Sequence, residues 1–372
     1  MSNTQKKNVP ELRFPEFEGE WEEKQLGNII KVNSGKDYKH LDKGDIPVYG
    51  TGGYMTSVSE PLSEIDAVGI GRKGTINKPY LLEAPFWMVD TLFYCTPKKE
   101  TDILFILSLF RKINWKVYDE STGVPSLSKQ TINKINRFVP TNKEQQKIGK
   151  FFSKLDRQIE LEEQKLELLQ QQKKGYMQKI FSQELRFKDE NGNDYPDWTN
   201  ERLGEVTTVT MGQSPKSVNY TDNSNDTVLI QGNADIENGL INPRIYTREV
   251  TKLIQKDEII LTVRAPVGKL AMAQINACIG RGVCSIKGDK FLYYFLEWFA
   301  TQNKWIRFSQ GSTFESISGN DIRNIHIKIP VEDERTKIIK LLNSLDVLNS
   351  KTDLKIQNLK QRKQSLLQKI FV

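Results

Sequence analysis

PTNKEQQKIGKFFSKLDRQIELEEQKLELLQQQKKGYMQKIF, residues 140–181, and PVEDERTKIIKLLNSLDVLNSKTDLKIQNLKQRKQSLLQKIF, residues 330–371, are one passage written twice, without a gap, at a shift of 190 positions. Glu144, Lys147, Ile148, Leu155, Asp156, Leu169 and Lys173 each meet an identical residue, and Gln178-Lys179-Ile180-Phe181 returns as Gln368-Lys369-Ile370-Phe371. Apolar residues step by four and three: Ile148, Phe152, Leu155, Ile159, Leu166, Leu169, Tyr176 and Ile180, then Ile338, Leu342, Leu345, Ile356, Leu359, Leu366 and Ile370. A seam that returns every seven residues over nearly five heptads predicts a coiled coil. Lys173 and Lys363 share one seam position, Glu162 and Thr352 a second, Ile159 and Asn349 a third. Polar seam residues cost stability but fix register and partner. A helix that only packs on its own globule would show a wider apolar face.

The copies open on Glu11-Leu12-Arg13-Phe14 and Glu184-Leu185-Arg186-Phe187, a shift of only 173, so 17 extra residues fall in the second middle. The constant helices read as a frame, and the unequal middles as the parts that recognise. The plan is an N-terminal arm (1–19), a first globule (20–140), a first spacer helix (141–181), a linker (182–197), a second globule (198–330) and a second spacer helix (331–372). Turn punctuation such as Gly50-Thr51-Gly52-Gly53 and Glu237-Asn238-Gly239 separates strand-like runs, among them Trp87–Tyr94, Val228–Gln231 and Glu258–Val263. Amphipathic helices are expected near Ile103–Lys112 and Phe291–Phe308. The fold class is α+β: two tandem globules and two long helices forming an antiparallel coiled coil about a pseudo-twofold axis. Forty residues of helix span ~60 Å, comparable with one or two turns of DNA at ~34 Å each.

With 372 residues, 37% hydrophobic and 9% aromatic, the chain is long enough for two cores. Met1–Pro10 lacks the character of a signal peptide, and no window approaches a membrane span, so a cytoplasmic protein without a membrane partner is expected. Three cysteines, Cys95, Cys278 and Cys284, make no disulfide framework. The net charge of +7 resides on the helical stretches, while the globules are close to neutral. DNA contact would therefore need locally clustered bases rather than bulk charge.

Catalytic chemistry is sought and not found. His40 and His326 are far apart in sequence, and Cys278-x5-Cys284 has no second pair to complete a zinc site. Gly69-Ile70-Gly71-Arg72-Lys73-Gly74-Thr75 lacks the Gly-Lys-Ser/Thr order of a phosphate loop. No Asn/Asp-Pro-Pro-aromatic motif and no carboxylate-lysine nuclease cluster is recognisable. The expectation is a chain that does no chemistry alone, with no metal and no cofactor of its own.

From Pro10 to Phe371 the chain resembles the specificity (S) subunits of Type I restriction-modification enzymes. The likeness rests on the Glu-Leu-Arg-Phe opening, then Trp21-x4-Leu26-Gly27 and Trp198-x4-Leu203-Gly204. It continues in the glycine and arginine segments Tyr49–Tyr54, Gly71–Thr75, Val263–Gly268 and Ile279–Gly282, and in Phe86–Thr91. Ser-rich turns (Gly123–Ser128, Gly311–Ser318) and strands ending in Pro140 and Pro330 complete it. The resemblance implies two target-recognition domains, each reading half of a split site in double-stranded DNA. It also implies that the two conserved helices set the spacing and dock two methyltransferase (M) subunits, which use S-adenosylmethionine to methylate adenine. Two restriction (R) subunits, using ATP and Mg2+, would let the complex cleave unmethylated DNA.

Arg pairs well with guanine and Asn or Gln with adenine, while Lys, Arg and backbone amides hold phosphates. On that chemistry the contact candidates are Lys36, Tyr54, Arg72, Lys73 and Lys78 in the first globule, and Gln213, Lys216, Asn233, Arg264, Lys269 and Arg281 in the second. Arg72 and Arg264 hold corresponding places, which fits a shared phosphate or scaffold contact as well as base reading. Glycines 50, 52 and 53 are expected to make a turn, and Trp87 and Phe93 to be core. Two rival readings are a self-contained DNA methyltransferase or nuclease, and a coiled-coil scaffold without a nucleic-acid role.

Overall fold

A computed structural model describes residues 8–302, 304–305 and 316–372. The end of the arm, the far end of the expected helix at Phe308, and the 311–315 part of the second Ser-rich turn lie outside the described residues. The chain forms two compact units, Met1–Gln164 with Thr352–Val372, and Lys165–Lys351.

In the first unit, strand Ala67–Gly71 is buried at every residue and lies between Leu92–Pro97 and Tyr80–Leu82, with Ile30–Ser34 on the outer side of Leu92–Pro97. A run without polar alternation, such as Ala67-Val68-Gly69-Ile70-Gly71, fits only a strand covered on both faces. The amphipathic helix Ile103–Lys112 covers one face, and its first turn is closed by the Asp102 side chain accepting from the Phe105 N–H. A second sheet pairs Lys43–Gly50 antiparallel with Gly53–Val58 and parallel with Trp87–Met88. The expected turn is there: Gly50 and Gly53 close this hairpin, and Gly53 has φ +105°. Trp87 and Phe93 are buried, as expected.

The second unit repeats this design with more strands. Ile259–Thr262 is the buried central strand, flanked by Val283–Ile286 and Leu270–Met272. Thr227–Ile230 runs parallel to Ala277–Ile279, as Lys43–Gly50 does to Trp87–Met88. The hairpin Ile236–Glu237 and Leu240–Ile241 extends the sheet of the central strand. Helix Lys290–Thr301 begins at the Asp289 cap, which accepts from the Leu292 N–H.

Asn142–Phe181 and Glu332–Ile370 are the two long helices. Every residue of the proposed seam is buried or half-buried, including Lys173 and Lys363. In the first unit Asp156 pairs with Lys363, Glu162 with Lys355, and Glu163 with Lys360 at 2.6 Å. From Asp156 to Glu162 and Glu163 the partners step back from Lys363 to Lys355 and Lys360, so the two helices run antiparallel there. In the second unit Lys173 meets Asp346 at 2.7 Å and Glu297 at 2.7 Å. Lys173–Asp346 and Lys363–Asp156 are the same pair under the internal repeat, so each polar seam lysine finds an aspartate from the opposite helix. Burial works against the charge of Lys173, yet Glu297 and Asp346 outweigh it and hold the amine above the ordinary lysine value. Lys363 has one carboxylate and the Arg111 guanidinium nearby, and burial leaves it lowered.

The seam does double duty at its ends. Ile148, Phe152, Leu367, Ile370 and Phe371 belong to the core of the first unit; Met177, Ile180, Phe181, Ile338, Leu342 and Leu345 belong to that of the second. Each core thus takes one end from each long helix.

The Arg of each Glu-Leu-Arg-Phe opening seals that junction. Arg13 makes a two-pronged bond to Glu144 (2.8 and 2.7 Å), which the Trp21 indole also reaches at 3.3 Å. Arg186 does the same with Glu334 (2.8 and 2.8 Å), joined by Trp198 at 2.9 Å. The carboxylates are 1% and 0% exposed, and each bond holds its arginine pKa above the ordinary value.

Candidate nucleic-acid interface

The two heads correspond bond by bond at the loops that carry the candidate residues. Gly35 N–H donates to Leu92 O as Gly212 does to Val283 O, and Lys36 to Met88 O as Gln213 to Ile279 O. Val89 donates to Tyr49 O as Gly280 to Ile230 O, and Arg72 to Thr91 O as Val263 to Gly282 O. The chain has no room for a side chain where two of these loops cross: a Cβ on Gly35 would sit 2.0 Å from Val89 O, and one on Gly212 2.1 Å from Gly280 O.

These bonds correct one expected correspondence. Leu127 N–H donates to Arg72 O and Ile317 N–H to Val263 O, while Lys73 bridges Ser126 and Arg264 bridges Ser316. Arg264 therefore matches Lys73, and Arg72 matches the buried Val263. Aligning the arginines by eye shifts the loop by one residue, because the arginine itself carries no information about which carbonyl its backbone meets.

In the second head Ser214, Gln231, Gly232, Asn233, Arg264, Ala265, Arg281 and Gly282 line one cleft of about 230 Å3. Three of the six candidates there, Asn233, Arg264 and Arg281, are thus brought together. Arg264 and Arg281 are exposed, and neither has an ion pair with a described residue. Thr262, fully buried, shapes the loop that carries Arg264: its hydroxyl donates to Pro266 O (2.9 Å) and accepts from Lys269 N (2.9 Å). Asp235 folds the facing loop by accepting from the N–H groups of Gln231 (2.8 Å) and Gly232 (3.1 Å). Gln231, which sequence reasoning passed over, has an amide nitrogen that is buried and lacks a hydrogen-bond partner among the described residues. Nothing local in the sequence distinguishes it, since it directly follows an ordinary strand.

The remaining candidates are placed differently. Lys269 turns inward, its ammonium donating to Asn233 O (3.2 Å) and Ile236 O (2.6 Å), so it braces the cleft wall. Gln213 is exposed one residue from Ser214, and Lys216 is exposed with its N–H on Glu249 (3.0 Å); neither lines the cleft. In the first head Lys36, Tyr54, Arg72, Lys73 and Lys78 are all exposed. The Trp87 indole donates to Lys36 O (2.9 Å), and the Tyr54 hydroxyl is 3.1 Å from Ser57 Oγ. The Arg72 guanidinium sits 5.8 Å from the Phe93 ring centre and 3.5 Å from Asp90 O.

His40 and His326 are both exposed; His40 has its ring against Trp87, and His326 lies in a strand opposite Arg202. Cys278 and Cys284 are buried and free, and burial pushes the Cys284 thiol up to about 12. Among the described residues no helix is long and apolar enough to cross a membrane.

A frame used twice with different side chains on the same loops defines a two-headed recognition protein. The family description "Type I restriction modification DNA specificity domain" matches residues 18–171 and again residues 195–361. The chain belongs to the family of type I restriction-modification specificity subunits. It is 30% identical over 261 residues to a chain of Methanocaldococcus jannaschii assigned to the type I restriction enzyme MjaX as its specificity subunit, covering 66% of this chain and 61% of that one. The MjaVIII specificity subunit of the same organism is 25% identical over 312 residues, 77% of this chain and 71% of that one. A crystal structure of the type I S subunit from M. genitalium superposes with a TM-score of 0.68 at 16% identity, over 98% of this chain and 99% of that one. A second solved chain, from work on complex assembly and conformational transition of the type I R-M system, gives 0.59 at 19% identity over 94% and 97%. At such identities these structures speak for the fold.

Proposed function

We propose that each head reads one half of a split site in double-stranded DNA, and that the long helices set the interval between the halves. The observation that carries this is the bond-for-bond loop frame, which presents Arg264, Arg281 and Gln231 in one head where the other has Lys73, Asp90 and Gly50. Equal frames with unequal side chains suit two different words read in the same manner.

In this reading two methyltransferase subunits dock on the helices, bind S-adenosylmethionine and methylate adenine. Two restriction subunits, using ATP and Mg2+, cut DNA that lacks the mark, and the complex works in the cytoplasm. Leu161 and Leu354 in the first unit, and Leu168 and Val347 in the second, are exposed apolar residues on the helices and suit a protein partner.

Mapping methylated adenines genome-wide with and without this chain tests the proposal: a two-block motif that vanishes with the chain is expected. Methyl transfer by the isolated chain, or no change in the map, would favour one of the rival functions. Inserting four residues into Asn142–Phe181 adds ~6 Å, so the gap in that motif should change by one or two base pairs. An unaltered gap removes the spacing role.

Arg72→Ala should cost about 1–3 kcal/mol of DNA affinity if it loses a base contact. Equilibrium binding by the chain with its methyltransferase partner measures this; unchanged affinity and sequence preference would take Arg72 off the interface.

A further inference from the structure

The matched backbones place Asp90 and Arg281 in one slot of the two heads. The residue before each, Val89 or Gly280, donates to a carbonyl at the end of a neighbouring strand, Tyr49 in Lys43–Gly50 or Ile230 in Thr227–Ile230. The residue after each, Thr91 or Gly282, accepts from Arg72 or Val263. With both neighbours tied alike, the two side chains leave the frame at the same point. Both are exposed, and neither the Asp90 carboxylate nor the Arg281 guanidinium has a side-chain hydrogen bond or ion pair with a described residue.

We infer that this slot is a specificity position, and that the heads use it with opposite hydrogen-bond polarity. In the second head Arg281 reads an acceptor edge, guanine, and in the first head Asp90 reads an amino group, on cytosine or adenine. This rests on the proposed DNA reading.

A guanidinium only donates, and an ionised carboxylate only accepts. In the major groove guanine offers two acceptors, O6 and N7, whereas cytosine N4 and adenine N6 are donors. The surroundings agree with the assignment. Arg281 shares its cleft with Arg264, Asn233, Ser214 and the unpartnered Gln231 amide, and no carboxylate lines that cleft. The equivalents of Arg264 and Gln231 in the first head are Lys73 and Gly50, a shorter reach and no side chain. An unpaired carboxylate on a surface that meets phosphates is repelled unless a base amino group receives it, whereas an arginine alone could rest on a phosphate. Asp90 is therefore the more telling member of the pair.

The test uses the chain assembled with its methyltransferase partner and a duplex library randomised in both half-sites. The wild-type complex is measured first, then Arg281→Ala and Asp90→Ala, with melting curves to confirm that these surface variants fold. For Arg281→Ala the expected result is loss of guanine preference at one position of one half-site, on the order of 10-fold to 100-fold, with the other half-site unaltered. Asp90→Ala should lose a cytosine or adenine preference at one position of the opposite half-site. The inference is overturned if either variant weakens all sequences equally, leaves the motif as it was, or loses a base of the wrong polarity. A wild-type complex that selects no two-block motif would sink the proposed DNA reading itself, a distinct outcome.

Discussion

Replacing Glu334 by alanine is expected to cost the second unit about 3–5 kcal/mol, visible as a fall of roughly 10 °C in its melting temperature. The carboxylate is 0% exposed and takes two bonds from Arg186, one from the Trp198 indole and one from the Phe187 N–H (3.3 Å). Its removal leaves a partly buried guanidinium and an indole donor without their acceptor, and the penalty is for those stranded groups more than for the lost attraction. A double replacement, Arg186→Met with Glu334→Leu, should therefore lose less than Glu334→Ala alone. Urea unfolding of the three chains measures both claims; a single variant as stable as the parent would show that the cluster does not hold the junction.

Phe371→Ala should destabilise the first unit by about 3–5 kcal/mol, although the residue is adjacent to the last in the sequence. Its ring is 4% exposed and lies 5.6 Å from Phe105, 6.1 Å from Phe152 and 6.2 Å from Trp21, centre to centre. No other side chain can fill that space, because the three rings come from separate segments already fixed by their own packing. Hydrogen exchange resolved by peptide is the suitable measurement. Loss of protection in residues 20–140 is expected, and protection lost only in residues 198–330 would contradict the assignment of Phe371 to the first core. Phe181, which stacks on Trp298 at 5.5 Å and meets Phe291 and Phe295, holds the same post in the second core.

Much of the frame was legible because it is periodic. Ile148 through Ile180 and Ile338 through Ile370 announce helices by spacing, and the lysines at the shared seam position announce polar partners, which the structure supplies as Asp346 and Asp156. The Glu-Leu-Arg-Phe, Trp and helix-start glutamate repeats were each visible. Their meeting in one cluster was not, since Arg13 and Glu144 are 131 positions apart and a repeat says nothing about which of its parts touch. The loops were least legible. Arg72 and Arg264 looked equivalent in the sequence, yet backbone hydrogen bonds match Lys73 to Arg264 and Asp90 to Arg281.

Helices, duplication and family membership follow from patterns that local chemistry imposes on neighbouring residues: a seam every seven positions, a cap, a proline before a helix. Which loop residues share a cleft is a different matter. Ser214, Gln231, Arg264 and Arg281 converge because parallel pairing of Thr227–Ile230 with Ala277–Ile279, and antiparallel pairing of Ile259–Thr262 with Val283–Ile286, carry four strand ends to one place. Those pairings are long-range hydrogen bonds, and their register is set by the buried faces of whole sheets. The frame was therefore written in the chain's periodicity, while the chemistry at its tips came into being with the packing.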